Sequence, residues 1–580
     1  VGRAPLVPLA VAFVIGIASE TCGAGLQVLC AGIAGAAFVR LRSIAPSVRA
    51  NAVLALGLGV LDALLFAQVT PAQPDLHVRR LAANVLDVRA ASDGLVNTTI
   101  RFADGSGASV ELPAPAEQVG ARIVIRCRRE PFDGPRNPGE PSPRDLAAER
   151  GLAWRLAHAK VLSRAPPDER DPTLWLPRLR AWASARVHER FPEPEATILA
   201  GAMWGERGAL APDLREEFQE TGTVHILVTA GLHLGVVAAF TVALLQALRC
   251  GRIGASLGAI VVVWLYAALS GDHLPSVRAA TMLSFALVAR AAGRETFSWN
   301  ALAAAAIVVA ALRPASVTSV SFALSFSCVA AIFAFAKPIA STLEDMGAPR
   351  VVREALAVAF ATQLGTWPLT AAAFLVIAPY APLANAFVVP VVGIAMLGGF
   401  VTLALAPVPA LAALAASVET SLVDWIVIVV RFVASLPGAH AVATPPPLWA
   451  LAVYDIALAF AGFALAAGYP RRALIAVACA SALCLWPPRL PTHDLIITAI
   501  DVGQADAILI RTPNGHAYLV DAGGKLESGP QLAGTSSAEA VGERVVVPFL
   551  IRQGIHRLDA VLLSHPHGDH KGVHAHLLSG

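Results

Sequence analysis

Charge is what this sequence has least of. Only 15% of its 580 residues are Asp, Glu, Lys or Arg, against about 25% in an ordinary soluble domain. With a mean hydropathy of +0.63, that deficit excludes a freely soluble globular protein and leaves a chain that crosses a bilayer several times. A strong net charge is missing too. The formal value is +3, so any attraction for a polyanion must be local. The seven cysteines form no C-x-x-C pair, and only Cys127 lies in a soluble-looking stretch. A disulfide framework is therefore not expected, and the remainder read as small buried hydrophobes. A cleavable leader is also absent from view: Pro5 to Ser19 is apolar, but "ASETC" offers no small-x-small cleavage site. Opening on Val1 and stopping at Gly580, the sequence leaves open that it is a fragment.

What is present is a succession of apolar runs of bilayer-spanning length, about 17–25 residues each. Three come first, near 5–19, 23–39 and 51–69, and a soluble insert then reaches to around Gly222. Beyond it some ten spans are predicted, near 223–248, 254–270, 273–291, 297–312, 317–336, 354–373, 381–405, 421–436, 447–468 and 473–486. Residues 406–418 form a candidate half-helix. Basic residues fall in alternate connections: Arg40, Arg42 and Arg49; Arg249 and Arg252; Arg290 and Arg294; Lys337, Arg350 and Arg353; Arg471 and Arg472. The turns "SETCG", "SGDH", "IAPYAP" and "SLPGAHAVATPPP" between them carry no Lys or Arg. The basic turns are then cytoplasmic, which puts the insert after Thr70 and the tail after Pro487 on the same outer side.

The insert has its own rhythm. "GARIVIRCRRE" sets Ile123, Ile125 and Cys127 against Arg122, Val124, Arg126 and Arg128, the period of a half-buried strand. "GLVNTTIRFADGSGASVEL" reads as two strands around a Gly-rich turn. A small antiparallel barrel is expected, on which Arg101, Arg122, Arg126, Arg128 and Arg129 can face an anionic strand. A merely solvated strand face stands as an equal alternative, since few aromatics are interleaved for base stacking. "LRAWASARVHERF" follows as a helix for the headgroup boundary or a packed connector.

Inside the spans the polar residues are few. Such groups are costly in lipid and face an interior, a partner or water. His225 and His233, eight residues apart, fall on roughly one helix face, and Arg278 lies in an otherwise apolar span. Arg278 can counter a phosphate. The two histidines and Asn385 either line a polar vestibule or make interhelical hydrogen bonds.

The tail reads as α/β. Leu495–Ile500, Ala507–Arg511 and Ala517–Asp521 are strand patterns, "RVVVPFLIRQGI" looks helical, and "LDAVLLS" looks like a buried strand. That last strand delivers "LLSHPHGDHKG", with His565, His567, Asp569 and His570 inside six positions. His565 and His567 offer imidazole nitrogens to one metal, while Asp569 and His570 can serve a second about 3.5–4 Å away.

Ser564–Gly572 resembles the signature of the metallo-β-lactamase superfamily. Asp521 in "LVDAGG" matches the acidic residue that ends an early strand there. "DVGQAD", Asp501 to Asp506, is similar to the D-V-G-Q-G-D opening of the lactamase-like domain in ComEC proteins, the channels of DNA uptake in natural transformation. Ala505 and Val573 depart from the usual glycines. The competence region of that family is resembled by "TGTVHILVTAGLHLG", by "HLPSVRAATM" with Pro275 and Arg278, and by "SFALSFSCVAAI". "WPLTAAAFLVIAPYAPLANAFVVP", with Asn385, continues the match. "NPG" at Asn137–Gly139 and "ERGL" at Glu149–Leu152 fit its N-terminal loop.

The resemblance implies a polytopic α-helical membrane protein with a β-rich, OB-like outer insert and a partial α/β metallo-β-lactamase-like tail. The expected parts are N-terminal transmembrane helices (1–70), the outer insert (71–190), a competence-type channel domain (191–487) and the partial lactamase-like domain (488–580). It implies an inner-membrane channel for single-stranded DNA working with other DNA-uptake proteins. The tail would hydrolyse the other strand with Zn or Mn, two ions in the full-length domain. His565, His567, Asp569 and His570 would be ligands, Asp569 and His570 catalytic, and Asp521 and Asp501 supports of the metal loop. Two other classes stay open: a membrane-anchored metallohydrolase of a small ester or lipid, and a channel whose tail only binds DNA.

Overall fold

Along Arg122–Glu130 (β4), Ile123, Ile125 and Cys127 are buried while Arg122 and Arg126 are exposed, the mark of a strand with one wet face. Four more strands join it: β1 (Asp75–Ala90), β2 (Leu95–Phe102), β3 (Gly107–Pro113) and β5 (Leu152–Ala165). They close into a barrel in the order β1-β2-β3-β5-β4, with β1 returning to β4. Every pairing is antiparallel except that of β3 with β5. Closure leaves no sheet edge to be masked, and the 16 residues of β1 supply both of its ladders. Val85, Ile100, Val110, Ile123, Ile125 and Trp154 fill the interior.

This computed structural model describes residues 75–565 apart from breaks at 91–94, 114–116, 168–170, 207–209, 228–230, 272–273, 294–297, 313, 488–493, 504 and 524–541, together with Val7, Ala10, Val11 and Val14. Two compact units emerge. One comprises Val1–Phe132, Ala147–Thr366 and Ala378–Ala439; the other comprises Asp133–Leu146, Trp367–Ile377 and His440–Gly580.

After the barrel come α1 (Trp175–Arg190), α2 (Glu195–Trp204) and α3 (Pro212–Glu220). Apolar helices then follow one another: α4 (Gly231–Ala247), α5 (Arg252–Leu269), α6 (Leu274–Ala291), α7 (Ser298–Leu312) and α8 (Val320–Asp345). They continue as α9 (Arg350–Phe374), α10 (Ala381–Ala404), α11 (Pro409–Ala434), α12 (Leu448–Ala466) and α13 (Pro470–Leu485). Of the described helices, α5, α8, α10, α11 and α12 are long and apolar enough to cross a membrane. The separate half-helix expected at 406–418 does not form. Residues from Pro409 run straight into α11, because proline in the first turn removes an N–H that needs no intrahelical partner. At the centre of the first unit α2 is buried from Glu195 to Trp204. Tyr266 of α5 donates its hydroxyl to the Met203 carbonyl, and Met396 of α10 packs in the same cluster.

In the second unit a two-residue ribbon pairs β6 (Val376–Ile377) with β7 (Ala441–Val442). Trp367 Nε1 donates to the Tyr454 hydroxyl of α12 at 3.0 Å. The tail forms a sheet of β8 (Ile496–Ala499), β9 (Ile508–Arg511), β10 (Ala517–Val520) and β11 (Ala560–Leu562), ordered β11-β10-β9-β8. Only β10 and β11 run parallel. Phe549 and Leu550 of α14 (Val547–Arg552) cover Leu509 and Leu519.

Gly222 shows how closely the first unit packs. Its φ is +68°, and a Cβ there would sit 2.8 Å from the Ala381 Cβ. Gly222→Ala is expected to cost about 1–3 kcal/mol, lowering the thermal unfolding midpoint of the detergent-purified chain. Gly235→Ala, where a Cβ meets nothing within 4 Å, should leave that midpoint unchanged or raise it slightly.

Candidate functional site

Asp521 directly follows β10. Its φ of 53° is left-handed, a conformation that costs a residue with a Cβ. The side chain is 4% exposed, and Oδ1 accepts the Ser564 N–H at 2.8 Å. The Asp521 N–H donates to the Leu562 carbonyl at 2.8 Å. Because β11 lies parallel to β10, its C-terminal end brings Ser564 and His565 beside Asp521, the end at which α/β sheets place their sites. His565 Nδ1 hydrogen-bonds Ser564 Oγ at 2.9 Å. His567, Asp569 and His570 lie outside the described residues. Among the described residues no group of three His, Cys, Asp or Glu is set to hold a metal. The fit to a metal therefore rests on the donor types in His-x-His-x-Asp-His, on the strand end that delivers them and on the Asp521 tie.

Asp501 is held by its backbone. Its N–H donates to Asn137 Oδ1 at 2.9 Å, and its carbonyl accepts from Asn137 Nδ2 at 3.0 Å. Its own Oδ1 accepts from the Gly503 N–H at 3.0 Å. Further along the same turn, the Gly523 N–H donates to the Asp506 carbonyl at 3.0 Å. The turn that starts at Asp501 is thus stacked on the turn that carries Asp521. Outside the loop, His516 Nδ1 meets Asp559 Oδ1 at 2.9 Å and the Ala517 N–H meets Oδ2 at 2.8 Å. Those bonds, the histidine's first, hold the Asp559 carboxyl below the usual carboxylate range.

In the helical block, Arg278 of α6 is 1% exposed. Its Nη2 donates to the Ser321 carbonyl at 2.9 Å and to Ser321 Oγ at 3.2 Å, in the first turn of α8. His225 and His233 do not share one helix. His225 is exposed in a short 3-10 turn, Val224–Leu227, with Nδ1 against the Gly222 carbonyl at 3.2 Å, whereas His233 is buried in α4. The 3-10 turn ends at Leu227 and α4 begins at Gly231, so the two histidines stand on separate elements and the shared helix face that their spacing suggested is not formed. Asn385 stands in the second turn of α10, its Oδ1 buried without a hydrogen-bond partner. Gly222 packs on Ala381 of α10, and a Cβ on Gly231 of α4 would sit 3.5 Å from the Ala279 Cβ of α6. The turns that carry the four predicted residues therefore converge pairwise.

Three acids went unnoticed in the sequence. Glu419 of α11 is 2% exposed and seated on Gly398 of α10, where a Cβ would collide with its carboxyl. Glu195 of α2 is buried, and Asp424 of α11 lies beside it. Acids at 419 and 424 inside an apolar run were the available signal.

The barrel sorts its arginines by register. Arg101 of β2, Asn84 of β1 and Arg122 of β4 are cross-strand partners in one row. Arg80 of β1, Arg126 of β4 and Lys160 of β5 make a second row. All five cations are exposed. Arg128 departs from expectation: it is ion-paired with Glu130, two residues on along the same face, and that contact holds the Glu130 carboxyl below its usual range. Arg129 lays its guanidinium over the Phe102 ring at 4.0 Å. Arg80 and Lys160 were missed because a register shift between Asp75 and Arg79 hides the alternation of β1 before Arg80, and register shifts in the β4–β5 ladder hide that of β5 around Lys160.

Residues 203–468 match the family model for competence proteins, and residues 500–579 match that of the metallo-beta-lactamase superfamily. The ComE operon protein 3 of Bacillus subtilis (strain 168) is 24% identical over 392 residues, 65% of this chain and 49% of that protein. Competence protein ComA of Neisseria gonorrhoeae is 30% identical over 384 residues, covering 63% and 50%. YcaI of Escherichia coli (strain K12), an uncharacterized protein, is 24% identical over 425 residues. The chain spans about half the length of these curated relatives. No solved structure matches. Apolar helices in the region that matches competence proteins are followed by a sheet in the region that matches the metallo-β-lactamase superfamily, and in this order of parts the chain is similar to competence proteins of the ComEC family.

The Asp521 tie is open to direct measurement. Asp521→Ala in the full chain should speed hydrogen exchange at the Ser564 amide by about tenfold, the loss of one buried charge-assisted bond. Asp521→Asn, which keeps an acceptor, should lie between. Unchanged exchange in the alanine variant would remove the tie from the account.

Proposed function

We propose that this protein passes single-stranded DNA through the bacterial inner membrane during competence, with the barrel gripping the strand and the tail hydrolysing its complement. The observation that carries this reading is the competence-family match over residues 203–468; the cation rows of the barrel support a role for that part in meeting DNA. Neighbouring strands lie about 4.8 Å apart, so Arg80, Arg126 and Lys160 form a strip of positive charge across three strands, and Arg101 and Arg122 form a second. A sequence-tolerant strand binder of OB-like form needs such a strip along a backbone of phosphates. Arg128, paired with Glu130, contributes less than its neighbours.

A polyanion crosses only through a hydrated, cation-lined route. Arg278, His225, His233 and Asn385 would serve that route, Arg278 by fixing α6 against α8 as well as by its charge. In the tail, His565, His567, Asp569 and His570 would hold the Zn or Mn ions, with Asp569 and His570 nearest the chemistry. When bound there, such ions supply an acidified water and neutralise charge growing on the phosphate. Asp521 would keep the loop in register by its bond to the Ser564 N–H. On this reading the insert and the tail both lie on the outer side, which the alternation of basic turns supports.

The grip is tested with the full chain in detergent and a fluorescent oligonucleotide. Replacing Arg80, Arg126 and Lys160 together by Gln should weaken binding at least about tenfold. It should also lower the slope of log K against log salt by about 0.7 for each phosphate that the variant no longer neutralises. Unchanged affinity and slope would take the barrel out of the DNA path.

A further inference from the structure

Between α4 and α6, with the start of α5 at one end, lies an open groove of about 660 Å³, inside the range of about 300–1,000 Å³ typical of ligand pockets. Its walls are apolar and small: Gly235, Ala238 and Val242 from α4, Leu283 and Ala286 from α6. Gly235 adds a notch, since a Cβ there would meet nothing within 4 Å. At one end stand two cations, Arg252 in the first turn of α5 and Arg290 in the last turn of α6. Arg252 lies against Gly293, whose missing Cβ leaves room for the guanidinium. Arg290 keeps its Nε buried without a hydrogen-bond partner. Among the described residues neither arginine is paired with a carboxylate. Leu283 and Ala286 also wall a second cavity, of about 180 Å³, with Leu302 of α7 and Phe333 of α8.

We propose that this groove binds an anionic phospholipid, its acyl chain along α4 and α6 and its phosphate between Arg252 and Arg290. Charge complementarity names the occupant. Two guanidinium groups with no carboxylate partner among the described residues call for an anion, and a wall of Gly, Ala, Val and Leu calls for hydrocarbon; one molecule supplies both. A basic pocket between spans is the sequence-readable form of such recognition. A nucleic acid strand satisfies the arginines but gains nothing from the wall, and free phosphate likewise fills only the end. The crevice on the far side of Leu283 and Ala286 gives a second chain a place to lie. The inference does not depend on the role proposed for the barrel or the tail.

The test uses the full chain, delipidated in detergent, with native mass spectrometry and thermal unfolding as readouts. Phosphatidylglycerol and phosphatidylcholine of identical acyl chains are the probes. Phosphatidylglycerol should be preferred at least about tenfold and should raise the unfolding temperature more. Arg252→Gln with Arg290→Gln should erase the preference while leaving phosphatidylcholine binding as it was. Gly235→Leu, which fills the notch from a site with free space, should weaken both lipids. Equal binding of the two lipids by the unaltered chain, or a preference that survives the double Gln variant, would overturn the proposal. So would displacement of the lipid by glycerol phosphate or a short oligonucleotide at comparable concentration.

Discussion

A guanidinium cannot be left bare among apolar helices, and much of the first unit follows from how Arg278 is satisfied. Stranding a buried charge costs several kcal/mol, on the order of 3–5 when a partner is removed. Here the Ser321 carbonyl and hydroxyl take up Nη2. Ser319 caps α8 by accepting the Phe322 N–H, so the first turn of that helix is fixed when the arginine arrives. The bond sets the rotation of α6 about its own axis. One position on, Ala279, Leu283, Ala286 and Arg290 recur at helical spacing and form a single stripe. Ala279 meets Gly231 of α4, and the later members line the groove that α4 walls on its other side. A polar anchor on one face thus decides which apolar face is presented on another.

The tail obeys the same rule with a carboxylate. Left-handed φ at Asp521 carries a conformational cost, which is recovered only if the turn is held from outside. It is held twice, by the ladder bond to Leu562 and by the Ser564 N–H on Oδ1. Both partners belong to the segment that leads into the histidines. Register between β10 and β11 and placement of His565 are consequently one property of the chain. A slip of one residue would reverse the faces of β11 and carry Ser564 and His565 away from Asp521.

How much of this was legible depended on distance along the chain. Period-two alternation in β4, β9 and β10 and the long apolar runs are local signals, and the strands and helices appear where those signals lie. The continuity of α11 through 409–418 was hidden because "PVPALAALAAS" carries a proline signal and weak hydrophobic contrast. His225 and His233 looked co-facial only on the assumption of one helix, whereas one lies in a 3-10 turn that ends at Leu227 and the other in a helix that begins at Gly231. The cation rows were half visible. Arg122 and Arg126 announce themselves within one strand, but their partners Arg80 and Lys160 are set by barrel closure, a pairing that no single segment encodes. Arg128 looked equivalent to its neighbours until Glu130 took its charge.

Asn137 marks the far end of that scale. It lies between β4 and β5 in sequence, yet residues Asp133–Leu146 belong to the unit of the tail, and its partner Asp501 is 364 residues away. The side chain is 5% exposed, so its amide must find both a donor and an acceptor or forfeit the solvation it gave up. Asp501 supplies both through its backbone, in the manner of a ladder rung from a side chain. Glu140 in turn accepts the Asn137 N–H at 3.0 Å, which stiffens the small loop before it docks. A Cβ at Gly139 would sit 3.2 Å from the Arg552 side chain, and the φ of +79° there favours glycine. An Asn-Pro-Gly motif that is a plain turn by local rules therefore acquires its meaning from a strand end hundreds of residues later. The turn that opens the lactamase-like region is thus braced by a short loop from between two barrel strands, a segment that shares its compact unit.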